Sequence, residues 1–131
     1  MSIVITPFLR RVLQLDAATS GVAAALCILG ASFLAPLTGL PERLLFWAGV
    51  ILVPFVLLLL AVARRTAAPR MLVVDIAALN GLWVAASLGL LASGLLEPNT
   101  LGVLFVLAQA IAVACFTALQ FAGLRASPAR A

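Results

Sequence analysis

Apolar side chains fill four blocks of the chain, at residues 12–35, 44–63, 71–93 and 100–123, separated by short polar or turn-forming stretches. Bilayer hydrocarbon is about 30 Å thick, and a helix rising about 1.5 Å per residue needs about 20 mostly apolar residues to cross it. Each block meets that length. The breaks carry the expected punctuation: Pro36 and Pro41 around Gly39, then Arg64 and Arg65, then Pro69 and Arg70, then Glu97, Pro98 and Asn99. Strand-like alternation is absent, and lipid leaves no partner for open backbone groups, so the blocks read as helices. Connections this short join antiparallel neighbours. The predicted fold is therefore all-α and integral to the membrane, a single domain of four transmembrane helices running up-down-up-down.

Composition leads to the same class. Hydrophobic residues make up 66% of the 131 residues and charged ones 9%, against about 45–50% and about 25% in soluble domains. So few charges cannot cover the surface of a small soluble protein. The basic residues are eight arginines with no lysine, a usage that fits a GC-rich bacterial genome. Arg10, Arg11, Arg64, Arg65, Arg70, Arg125 and Arg130 lie on one side of the four spans, and Arg43 alone on the other. The positive-inside rule then places both termini in the cytoplasm, with the chain in a bacterial inner membrane. The arginines read as topology signals and headgroup contacts, with no nucleic-acid partner. Residues 2–11 read as a helix start at the headgroups, with Pro7 in the first turn.

The missing residue types restrict the chemistry. Without His, Lys or Tyr there is no His-based metal or haem site, no Ser–His or Cys–His nucleophile and no Schiff-base lysine. Neither a metal, a cofactor nor an enzymatic activity is expected. Cys27 and Cys115 form no Cys-x-x-Cys pair and lie at different depths in their spans, so both read as small buried packing residues.

The polar residues inside the spans are the candidate site. Asp16 and Asp75 are candidates for an ion or proton site, since an ionisable group within a span suggests function. Each follows an arginine by five residues, Arg11 and Arg70. A helix N-terminus or an arginine reaching back would also hold such an acid near the boundary. Asn80 and Gln109 fall near mid-membrane, where an unpaired amide is costly, and are expected to bond each other or a carbonyl. Trp83 is deep for a membrane tryptophan, and Gln120 lies on one helical stripe with Gln109. Asn80, Trp83, Gln109 and Gln120 thus form a candidate polar pocket. A shift of 59 residues lays Arg11 on Arg70 and Asp16 on Asp75, predicting two tandem hairpins, residues 8–66 and 67–125, with the two acids at equal depth.

In outline the chain resembles the small multidrug transporters. They share its size, four short-looped spans, an early acid in the first helix and a tryptophan in the third, on which Asp16 and Trp83 can be laid. The likeness covers no local motif, the acid there is a glutamate, and no family is assigned. With a second span that holds no polar side chain from Leu44 to Ala63, the leading expectation is an accessory or assembly subunit of a membrane complex. It would work as a homo-oligomer or beside other membrane proteins in the bilayer. The alternative is a transporter or binding protein for a small molecule or ion.

Overall fold

The computed structural model describes residues 1–130. Its elements in chain order are β1 (Ser2–Val4), α1 (Pro7–Leu29), α2 (Ala31–Thr38), α3 (Glu42–Ala63), β2 (Ala67–Pro69), α4 (Arg70–Ser93), α5 (Thr100–Ala126) and β3 (Ala129–Arg130). Four of these helices, α1, α3, α4 and α5, are long and apolar enough to cross a membrane. Thr6 caps α1 by accepting from the Leu9 amide at 3.2 Å, and Pro7 fills the first turn, where its missing N–H costs nothing. The helix thus begins five residues before the apolar block at 12. The block itself is not one helix. It breaks at Gly30, a poor helix former, and the remainder folds into the short α2, which ends at Gly39 with a φ of 74°.

The helices form two antiparallel hairpins. In the first, Gly49 of α3 faces Ala24, Cys27 and Ile28 of α1, and Gly21 of α1 faces Val56. In the second, Gly81 of α4 faces Thr117 of α5. Contact between α1 and α5 joins the hairpins, while α3 and α4 do not pack closely on one another. Near the sheet their side chains share one core, with Leu59 and Val62 beside Val73 and Ile76, and farther along both helices line a cavity.

A three-stranded antiparallel sheet, in the order β2-β1-β3, closes the arginine-bearing end. Ile3, Ile5 and Ala68 point into the core, where they meet Leu9, Leu13, Leu59 and Ile76. The 2–11 lead is thus a central strand as well as a helix start. Three residues are too few for a strand pattern to be read from sequence. Arg10 does more than mark topology. Its guanidinium donates to the carbonyls of Ala63 at 2.8 Å and Arg65 at 2.9 Å, satisfying groups freed at the end of α3.

Part of the buried pattern recurs between the two hairpins. The buried residues Leu9, Val12, Leu13 and Asp16 of α1 map by a shift of 64 onto the buried Val73, Ile76, Ala77 and Asn80 of α4. Gly49, Leu59, Val62 and Ala63 of α3 map by a shift of 61 onto Ala110, Gln120, Gly123 and Leu124 of α5. The other buried residues of α1, Ala17, Ser20, Ala24 and Cys27, have no buried counterpart at the shift of 64. The shift of 59 lays the buried Asp16 on the exposed Asp75.

Candidate functional site

Two polar layers and one cavity occupy the interior. The first layer is centred on Asp16, which is fully buried nine residues into α1. Three donors converge on its carboxylate: Ser20 Oγ at 3.1 Å, Asn80 Nδ2 at 2.7 Å and Gln120 Nε2 at 2.6 Å. Asn80 Nδ2 also donates to Gln120 Oε1 at 2.9 Å. Both amides turn their nitrogens toward the carboxylate oxygens, which accept all three bonds. The layer ties α1, α4 and α5 together, and every donor is neutral.

That arrangement departs from the expected one in two ways. Asp16 lies deeper in its helix than the apolar block implied, because α1 starts at Pro7, and it bonds to amides rather than to an arginine or a helix N-terminus. Asp75 does not join it. It lies five residues into α4 and is exposed, on a face turned away from the buried stripe of Val73, Ile76 and Asn80. The structure therefore holds one buried acid, not a facing pair.

The second layer links α4 to α5. Trp83 Nε1 donates to Gln109 Oε1 at 2.8 Å, and Gln109 Nε2 donates to Ser87 Oγ at 3.0 Å and to the Val106 carbonyl at 2.9 Å. Indole N–H is a donor only, which fixes the orientation of the Gln109 amide. Ser87 Oγ passes its own hydrogen to the Trp83 carbonyl at 2.8 Å. Asn80 and Gln109 thus do not bond each other. Gln120 and Gln109, eleven residues apart on one stripe, serve different layers because a rise of about 1.5 Å per residue separates them by about 16 Å. Ser20 and Ser87 are the participants that the sequence reading left outside the candidate pocket. Ser20 stands one turn from Asp16, and Ser87 one turn from Trp83, a spacing that was available as a signal.

Between the hairpins lies a cavity of about 320 Å³ lined by α1, α3, α4 and α5, within the range of about 300–1,000 Å³ usual for ligand pockets. Trp83, Ser87 and Gln109 form its polar wall, and Ser20 places the Asp16 layer at its edge. None of its lining residues is charged. A second apolar cluster, Cys27, Ala31, Leu40 and Leu45 with Leu96 and Phe105, packs at the end away from the sheet. Among the lining residues, Trp47 and Ile51 of α3 are exposed. Cys27 is buried, as a packing residue should be, but Cys115 is exposed on the outer surface of α5. No family model, curated protein or solved structure matches this chain.

Proposed function

We propose that this chain is a four-span protein of a bacterial inner membrane that binds a small apolar molecule in the cavity between its hairpins and carries or presents it within the bilayer. The cavity is the observation that supports this reading. A bundle built only to pack would bring α3 against α4 and fill the space with side chains, since interiors are normally close-packed. Instead a polar wall of satisfied hydrogen bonds faces an apolar space that opens sideways toward lipid. No catalytic step is proposed.

Replacing Ala112, a half-buried residue of the cavity wall, with Phe tests the reading. Native mass spectrometry of protein released from mild detergent should find a small apolar molecule retained by the wild type and lost from Ala112→Phe. The variant should keep its melting temperature, because filling a void restores contacts. Equal retention by both proteins, or none by either, rejects the proposal.

The accessory-subunit reading rests on α3, whose Trp47, Ile51, Leu57 and Leu60 are exposed on a helix without internal polar side chains. A stoichiometric partner that survives purification in mild detergent would favour it. The orientation remains as the arginines propose, with both termini and the small sheet in the cytoplasm. Reporter fusions at Ala131 and near Pro98 check this: cytoplasmic activity is expected at Ala131 and periplasmic activity at Pro98, and the reverse pattern rejects it.

A further inference from the structure

The hydrogen-bond inventory of the cavity says what kind of molecule fits it, given the binding role proposed above. Every N–H and O–H of the inner polar wall is committed. The Trp83 indole goes to Gln109, both hydrogens of the Gln109 amide go to Ser87 and Val106, the Ser87 hydroxyl goes to a backbone carbonyl and the Ser20 hydroxyl goes to Asp16. What these atoms retain is acceptor capacity: a second lone pair on Gln109 Oε1 and free lone pairs on Ser20 Oγ and Ser87 Oγ. The remaining lining is uncharged and mostly apolar, with Cys27 inside and Thr19 and Trp47 at the rim as its other residues with donor groups. We infer that the ligand is a neutral, largely apolar molecule ending in a hydroxyl group, a lipid-like alcohol, whose O–H donates to this acceptor wall.

The same inventory disfavours the neighbouring chemistries. A ketone, quinone or ether brings only acceptors and would face lone pairs. A cation would find no charge lining the cavity, because the Asp16 carboxylate is already surrounded by three donors. Thr19, midway along α1, and Trp47 also line the cavity and carry donors that no protein group accepts among the described residues, but both are exposed at its rim, so a ketone, quinone or ether would find donors only there and none on the inner wall. Access would be lateral, through the gap between α3 and α4, which suits a molecule already dissolved in the bilayer.

The test uses farnesol and its methyl ether, a matched pair that differs in the donor. With Trp47→Phe, Trp83 is the sole tryptophan of the full-length protein in lipid nanodiscs, and its fluorescence reports the polar wall. Farnesol should shift the Trp83 emission saturably, the ether should bind roughly tenfold more weakly, and adding Ala112→Phe should abolish both responses. Equal or tighter binding of the ether overturns the hydroxyl assignment while leaving the cavity a binding site, and would point to the donors of Thr19. If neither compound distinguishes the wild-type cavity from the filled one, the binding role itself fails and the inference with it.

Discussion

Asp16→Leu should lower the stability of the purified protein by about 1–3 kcal/mol, the cost of leaving buried donors without an acceptor. Three donors meet at this carboxylate and the site excludes water. Asn80 and Gln120 can still bond each other, so one amide interaction survives and the loss stays within that range. Asp16→Asn should cost less, because it keeps one acceptor oxygen while turning an NH2 group toward its former donors. The decisive comparison is the triple replacement Asp16→Leu, Asn80→Leu and Gln120→Leu. Removing both amides with the acceptor should recover part of the loss, because only the Ser20 hydroxyl then lacks its partner, and it can turn to a backbone carbonyl one turn back. Thermal or denaturant unfolding in one detergent measures all three. A triple variant less stable than Asp16→Leu would show that the layer is not a closed hydrogen-bonded unit.

Gly102→Ala should be the most damaging single-methyl addition in the chain. Gly102 opens α5, with its amide bonded to Asn99 Oδ1 at 2.9 Å, and a methyl there would collide with the Thr38 carbonyl oxygen at the end of α2. Thr38 cannot retreat freely, since its carbonyl accepts from the Asn99 amide at 3.0 Å and Asn99 Nδ2 donates to Leu37 at 2.8 Å. The clash is backbone against side chain, so about 1–3 kcal/mol of overpacking cost is expected. Gly89→Ala is the matched control. Nothing lies within 4 Å of the added methyl, and removing a glycine from a helix interior should stabilise by about 0.5–1 kcal/mol. Melting temperatures should therefore move in opposite directions. A neutral Gly102→Ala would mean that α2 is not held against the start of α5.

The division of the core into two layers explains why the candidate site was only half legible. Asn80, Trp83, Gln109, Gln120 and Asp16 stand out in any apolar sequence, because polar atoms within a span need partners. Their pairing does not stand out. It depends on where each helix starts, and α1 begins at Pro7 because Thr6 caps it, five residues ahead of the apolar block. That shift places Asp16 at the level of Asn80 and leaves Asp75 outside. Ser20 and Ser87 share helical faces with Asp16 and Trp83, but a hydroxyl in a helix can satisfy itself on a backbone carbonyl one turn back, so their sequence positions alone do not assign them to the polar layers.

Hydropathy alone determined the four long helices, their approximate ends and their antiparallel order, because about 20 apolar residues in lipid have no other way to satisfy their backbone. Only the tertiary structure decided the rest. The sheet pairs segments drawn from three distant parts of the chain, Ser2–Val4, Ala67–Pro69 and Ala129–Arg130, none long enough to declare itself. Which face each helix buries is likewise concealed by a composition rich in Ala and Leu. The cavity is further still from the sequence. It exists because α3 and α4 share side-chain packing near the sheet but leave a space between them beyond it, and a space between helices is a property of how they lean on one another, written in no single residue.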